Sequence, residues 1–167
     1  MSIQISLVDP DEVEDIGALA RRIWQHAYIE IIPQPQIDYM LAQRYSPQRL
    51  ASELKVDGIW WDKVTVDGQI AAFASAQLTD EPGEMKLDKL YVDPDYQRMG
   101  LGGRLIEHVT ARARVEGCMT LILAVNKQNE RAIAVYRKNG FEVRSATIVD
   151  IGGGFFMDDF IMAKSLV

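Results

Sequence analysis

Strands are predicted wherever apolar and polar residues alternate, or where β-branched and aromatic residues cluster between turn residues. The chain opens with such an alternation over residues 3–7. Residues 59–66 and 69–78 flank an Asp67-Gly68 pair, which tolerates the positive φ angles of a two-residue hairpin turn. Residues 84–92 follow after a polar turn. The middle of the chain therefore predicts a three-stranded antiparallel meander.

Helices are predicted where apolar residues recur every three or four positions. Pro33 and Pro35 are expected to end the first helix, and Ser46-Pro47 has the residue types of an N-cap followed by the first helical position. Gly140 stands where a left-handed C-terminal cap is expected. The predicted helices cover residues 13–32, 36–45, 47–54, 100–116 and 129–139.

The order of these elements predicts the fold class. Three further strands are predicted over residues 120–125, 142–149 and 155–163. The predicted elements follow in the order strand, helices, meander, helix, strand, helix and two strands. This order indicates an α/β (α+β) fold with a mixed sheet rather than a doubly wound parallel one. Because no repeat, linker or low-complexity tract interrupts the chain, we expect a single domain over residues 1–167.

Composition excludes several classes of function. A formal net charge of −6 argues against a nucleic-acid partner. Cys118 is the only cysteine, and His26 and His108 are the only histidines, so the sequence predicts neither a disulfide nor a metal site. No segment approaches the about 20 apolar residues of a membrane span, and the first residues lack a signal-peptide pattern. We therefore expect a soluble, cytoplasmic protein that does not bind membranes.

The glycine-rich segment Gln97–Gly103 joins a predicted strand to a predicted helix. Glycines let the backbone approach a ligand closely, and the amides at a helix start face an anion. The segment lacks the third glycine of the dinucleotide fingerprint, where Leu105 stands, and lacks the Gly-Lys-Ser/Thr of a P-loop. It predicts a phosphate cradle, with a helix start that needs small residues for tight packing as the alternative.

These residues, with two flanking segments, resemble the GNAT superfamily of N-acetyltransferases. Gln97, Gly100 and Gly102 match the family pattern Gln/Arg-x-x-Gly-x-Gly/Ala. Leu90–Pro94 upstream and Asn129–Phe141 downstream extend the similarity, so that the matching segments cover about half of the chain. The resemblance implies a central sheet of about seven strands, mostly antiparallel, with helices on both faces.

The resemblance also implies acetyl-CoA as co-substrate, with no metal. It assigns the pyrophosphate to backbone amides of the glycine-rich segment and the pantetheine arm to the preceding strand, beside a neighbouring strand that diverges from it. Asn129 would contact the CoA arm, or cap its helix, or do both. The implied cofactor-binding residues are Leu90, Tyr91, Val92, Gln97, Arg98, Met99, Gly100, Leu101, Gly102, Gly103 and Asn129.

For catalysis, the resemblance implies that Tyr136 protonates the departing CoA thiolate, with aromatic packing as the alternative role. A backbone amide near Tyr91 or Val92 would stabilise the oxyanion. The attacking amine must lose a proton first. Lys86 stands where some family members carry a carboxylate, so the general base is open between Glu84, Asp88 and water.

The acceptor is predicted from segments outside these motifs. Residues 24–28, 39–41, 45–47 and 158–162 resemble PaiA-like spermidine/spermine N-acetyltransferases, which implies a small cationic amine as substrate. The acidic side chains expected to attract it are Glu30, Asp38, Asp80 and Glu81. Acetylation of protein N-termini is the alternative activity, and a CoA-binding sensor module is the alternative without turnover. Homodimers are common in the family, and a homodimer is one expected assembly.

Overall fold

The computed structural model describes all 167 residues and contains seven strands and five helices. The strands are β1 (Ile3–Leu7), β2 (Ile59–Val66), β3 (Gln69–Leu78), β4 (Glu84–Val92), β5 (Thr120–Asn126), β6 (Glu142–Gly152) and β7 (Phe155–Ser165). The helices are α1 (Val13–Tyr28), α2 (Gln34–Arg44), α3 (Pro47–Glu53), α4 (Leu101–Val115) and α5 (Glu130–Lys138). Single 3-10 turns lie at Pro10–Glu12 and Pro94–Tyr96.

All seven strands belong to one sheet in the order β1-β2-β3-β4-β5-β7-β6. β4 and β5 run parallel, whereas β1 with β2, β5 with β7, and β6 with β7 run antiparallel. The expected mixed, mostly antiparallel sheet is therefore confirmed. None of the helices is both long and apolar enough to cross a membrane.

The predicted boundary between the first two helices is wrong by several residues. α1 ends at Tyr28 rather than Ile32, because the amides of Ile31 and Ile32 both donate to the Tyr28 carbonyl and close a turn. α2 begins at Gln34, with Pro35 inside its first turn. Proline is tolerated there because first-turn amides have no partner within the helix. The two prolines therefore follow the first helix, as expected, and also lie at the start of the second.

The chain divides into two compact units. The first comprises residues 1–76 and 89–105, and the second comprises residues 77–88 and 106–167. The core of the first contains a cluster of aromatic rings, among them the buried Trp61 and Phe73. In the second, Cys118 is 7% exposed, and burial together with the charge of Glu116 raises the pKa of its thiol. A single domain over residues 1–167 remains a prediction.

Candidate active site

β4 leads into the glycine-rich segment, and only its first residues pair with β5. Its parallel ladder with β5 covers only Glu84–Lys86, opposite Thr120–Ile122. β5 itself is paired with β7 along its whole length. The ladder with β5 therefore ends four residues before Leu90, and Leu90–Val92 lie outside it.

Asp93 fixes the turn that follows β4. Its backbone amide donates to the Ala71 carbonyl at 2.8 Å, and its carboxylate accepts from the Asp95 amide at 3.0 Å. The same carboxylate, 3% exposed, forms an ion pair with Arg22 of α1. Arg22 also lies 3.4 Å from Asp95. The buried carboxylate of Asp93 thus joins the end of β4 and the turn after it to α1. The sequence analysis did not predict this link.

The glycine-rich segment ends in a helix start that has no side-chain cap. The first α-helical bond of α4 runs from the Arg104 amide to the Gly100 carbonyl at 3.1 Å, so Gly100 holds the N-cap position. A glycine has no side-chain oxygen to accept from the first-turn amides of residues 101–103. With the positive end of the helix dipole, these amides form a site suited to an anion.

The backbone conformation requires a glycine at position 100, whereas packing does not require one at position 102. Gly100 has φ of +74°, in the left-handed region that favours glycine, and Arg98 reaches φ of +68° two residues earlier. A Cβ at Gly102 would meet only the Val92 Cγ2 atom, at an ordinary contact distance of 3.9 Å. Tight packing within the chain therefore does not require a glycine at position 102.

Asn129 and Tyr136 belong to the second unit. The Asn129 side chain accepts from the Ala132 amide at 3.2 Å and caps α5, the structural role considered for it. Tyr136 is half-buried and packs edge-to-face on Phe141, with ring centroids 5.8 Å apart. Packing is thus one role of Tyr136, while its role toward the CoA thiolate stays a prediction, as does the contact of Asn129 with CoA.

The two carboxylates considered as general bases are each engaged by a cation. Glu84 pairs with Arg144 at 3.3 Å and accepts from the Thr79 hydroxyl at 3.0 Å. Asp88 lies 3.6 Å from the ammonium of Lys86. Each carboxylate is therefore already held in an ion pair within the chain.

The side chains expected to attract a cationic acceptor are exposed. Glu30 and Asp38 belong to the first unit, and Asp38 accepts from the Gln34 amide group at 2.9 Å. Asp80 and Glu81 belong to the second unit. Their attraction to an acceptor stays a prediction.

A pair of tyrosines that joins α1 to the last residues of β4 was missed by the sequence analysis. The hydroxyls of Tyr28 in α1 and Tyr91 in β4 are 3.0 Å apart. The helical spacing of α1 identified Tyr28 as part of a buried face. It carried no signal of a partner 63 residues away.

Comparison with known proteins identifies related sequences. The model of the acetyltransferase (GNAT) family matches residues 18–141. The ribosomal protein bS18-alanine N-acetyltransferase of Escherichia coli (strain K12) is 43% identical over 79 residues, 47% of this chain and 52% of that protein. The chain thus spans about half the length of such curated relatives. The spermidine N(1)-acetyltransferase of Thermoplasma acidophilum is 26% identical over 169 residues, 98% of each chain.

Two solved structures resemble the whole chain. The crystal structure of PaiA N-acetyltransferase from Thermoplasma acidophilum in complex with coenzyme A has a TM-score of 0.86, 25% identity and 99% coverage of both chains. The ribosomal-protein-S18-alanine N-acetyltransferase from Escherichia coli has a TM-score of 0.74 and 27% identity, covering 99% of this chain and 94% of that one. Both similarities include the helices ahead of β2, which the glycine-rich motif does not.

Proposed function

The chain belongs to the acetyltransferase (GNAT) family, and on that premise we propose that it transfers an acetyl group from acetyl-CoA to an amine of a small, polyamine-like cation. The observation that carries this proposal is the start of α4, where Gly100 holds the N-cap position without a capping side chain. A helix start with unused amides suits a pyrophosphate.

The chain's own residues would bind CoA through backbone groups. Amides of residues 98–103 would hold the pyrophosphate, and the main chain of Leu90–Val92 would pair with the pantetheine arm as with a peptide. The end of the β5 ladder before Leu90 supports this pairing. The room beside Gly102 supports a close approach of the ligand to the backbone.

Catalysis would combine direct attack with protonation of the leaving group. The neutral amine attacks the thioester carbonyl in a ternary complex, and a backbone amide near Tyr91 or Val92 stabilises the oxyanion. Tyr136 gives its proton to the departing thiolate, and Asn129 contacts the CoA arm. Acetyl-CoA supplies the acyl group, and no step of this scheme calls for a metal.

Two observations favour a polyamine-like acceptor over a protein N-terminus. Similarity to the spermidine acetyltransferase extends over 98% of both chains, whereas similarity to the bS18-alanine acetyltransferase covers 47% of this chain. The net charge of −6 also favours a polycation. The 43% identity within the shorter match keeps N-terminal acetylation as the second candidate.

The decisive experiment measures release of the CoA thiol with matched acceptors, while CoA binding is measured by calorimetry. We expect turnover with spermidine and spermine, and little with an alanine-terminated peptide or an aminoglycoside. Turnover with the peptide alone would replace the polyamine by a protein N-terminus. CoA binding without any turnover would support a sensor module, and absence of CoA binding would overturn the proposal.

We also propose a homodimer formed through β6, the last strand in the sheet order. Its apolar side chains Val143, Ile148 and Val149 are 39%, 68% and 45% exposed. Antiparallel pairing with a second copy about Thr147 would place Arg144 opposite Asp150, so the charges are complementary. Sedimentation should give a dimer that Ile148→Lys converts to a monomer, and a monomeric wild type would contradict this assembly.

We propose a cytoplasmic location as well. The single, buried cysteine supports a reducing compartment, because the chain has no internal disulfide to maintain. Fractionation of cells producing the protein should recover it with cytoplasmic markers, and recovery with the membrane fraction would contradict this.

A further inference from the structure

The Tyr28–Tyr91 pair lies where the proposed reaction has an unassigned step. Tyr91 belongs to the segment Leu90–Val92, proposed to hold the pantetheine arm, and its hydroxyl is 3.0 Å from that of Tyr28. Tyr28 is 8% exposed, whereas Tyr91 is half-exposed. One phenol of the pair is therefore anchored in the core of the first unit, and the other is accessible to a ligand.

The rings around the pair hold both phenols in place. Trp24 lies 4.5 Å from Tyr28 and 5.7 Å from Tyr91 between ring centroids, and Phe73 lies 5.8 Å from Tyr91. Packing of this kind restricts each ring to one orientation. The indole N–H of Trp24 is buried without a hydrogen-bond partner. A buried, unpaired donor is uncommon in a folded core, and it marks this cluster as a place where a polar ligand or water is expected.

The acceptor nitrogen loses two protons. The ammonium form, which predominates at neutral pH, loses one to solvent before the attack. The neutral nitrogen then gains positive charge as it bonds to the carbonyl carbon, so a second proton needs a route at that moment. Glu84 and Asp88 are each held by a cation, Arg144 and Lys86. A lone phenol is a weak base, because accepting a proton would leave its oxygen positively charged. A phenol that gives up its own proton at the same moment avoids that charge.

We infer that Tyr91 takes the proton from the acceptor amine and that Tyr28 acts through Tyr91 as its positioning residue. This inference rests on the proposed function. As the nitrogen–carbon bond forms, the N–H proton moves to the Tyr91 oxygen, the Tyr91 proton moves to the Tyr28 oxygen, and the Tyr28 proton leaves to water. Both phenols of the pair end neutral. The carbon–sulfur bond breaks with Tyr136 supplying the proton to sulfur, and Tyr136 regains a proton from water.

The test uses Tyr28→Phe, Tyr91→Phe and the double variant, with Tyr39→Phe in α2 as a matched control outside the pair. Each substitution keeps the ring and removes one hydroxyl, so the aromatic packing persists, and thermal unfolding checks the fold. The readouts are kcat as a function of pH, with spermidine saturating, and the Kd of acetyl-CoA by calorimetry. The pH profile of kcat reports on the ternary complex.

Each single variant of the pair should lower kcat by about 10- to 100-fold at neutral pH, in the range of general acid–base effects. The loss should extend over the whole pH profile without moving its rise, because the amine must be neutral before it attacks in the wild type and in the variants alike. The Kd of acetyl-CoA should stay unchanged. Because the phenols act as one unit, the double variant should be no slower than the slower single one.

Three results would overturn the inference: an unchanged kcat profile in Tyr91→Phe, losses that multiply in the double variant, or the same loss in Tyr39→Phe. These failures leave turnover and CoA binding of the wild type intact. They are therefore distinct from failure of the proposed function, in which the wild type itself neither binds CoA nor releases its thiol.

Discussion

The fold has room for a larger side chain at Gly102, whereas a ligand that approaches the backbone closely there would leave none. A Cβ at this position would lie 3.9 Å from Val92 Cγ2, which is an ordinary contact distance. Gly100, by contrast, requires glycine for its φ of +74°. A substitution at Gly102 therefore tests a ligand's approach, whereas a substitution at Gly100 tests the backbone as well.

We predict that Gly102→Val raises the Kd of CoA by about 10- to 100-fold, the equivalent of losing one hydrogen bond to a charged group. The thermal unfolding temperature should not fall, because valine favours a helix more than glycine does. Ala111→Val, at an exposed position of the same helix, is the control and should leave the Kd unchanged. Equal affinity in both variants would contradict the phosphate cradle.

Tyr136→Phe should lower kcat by about 100-fold, since it removes the phenol proposed to protonate the thiolate. The Kd of acetyl-CoA should stay unchanged, because the ring keeps its edge-to-face contact with Phe141. Rapid-quench measurement of a single turnover separates the chemical step from product release. A chemical step as fast as in the wild type would remove Tyr136 from the mechanism and leave it a packing residue.

At the scale of elements, the turn after β4 is held by α1. Arg22 joins the two through the buried carboxylate of Asp93, which also caps the turn ahead of the glycine-rich segment. Without Arg22 the carboxylate would remain buried and lack its cation, which costs stability and loosens the turn. The position of the amides proposed to bind the pyrophosphate thus depends on a helix that does not contribute any of them.

We predict that Arg22→Met raises the KM of acetyl-CoA by about 3- to 10-fold, corresponding to roughly 1 kcal/mol, and leaves kcat nearly unchanged. Arg22→Lys should restore part of the affinity, because it keeps the charge without the guanidinium fork. Arg21→Met, the neighbouring exposed arginine, serves as the control. The link between α1 and the cradle would be refuted by equal KM values in Arg21→Met and Arg22→Met.

Local patterns in the sequence predicted the helices and strands. They did not predict the features that depend on contacts between residues far apart in the chain. Asp67 and Gly68 have φ of +49° and +83°, the conformation that their residue types indicated, and β2 and β3 end where predicted. Pro33 and Pro35 were misread because a proline fits the first turn of a helix as well as a loop after one. Arg22 and Asp93, 71 residues apart, have no pattern in the sequence that links them. The cradle was predicted because its residues are contiguous.

At the scale of the whole molecule, charge is the property that bears on the acceptor. A net charge of −6 spread over the surface attracts a polycation over a distance set by the ionic strength. The Debye length falls from about 30 Å at 0.01 M salt to about 8 Å at 0.15 M. Attraction of this kind is therefore strong in dilute buffer and weak at physiological salt.

The KM of spermine should accordingly rise about two- to tenfold between these salt concentrations, with a smaller rise for a monoamine of similar length. Initial rates at fixed acetyl-CoA measure both acceptors in one series. Parallel salt dependence of the two KM values would show that the acidic balance has no part in acceptor choice. That result would leave the proposed acetyltransferase activity itself in place.

The buried Cys118 has a practical consequence for such measurements. The residue is 7% exposed, and burial together with the charge of Glu116 raises the pKa of the thiol. A covered, protonated thiol reacts slowly with disulfide reagents. The CoA released by turnover is then the only fast-reacting thiol in the cuvette, so the reaction can be followed continuously by colour without correction for the protein. A slower phase of colour development would come from Cys118 in molecules that have opened locally around it. One recording therefore measures both catalysis and local unfolding.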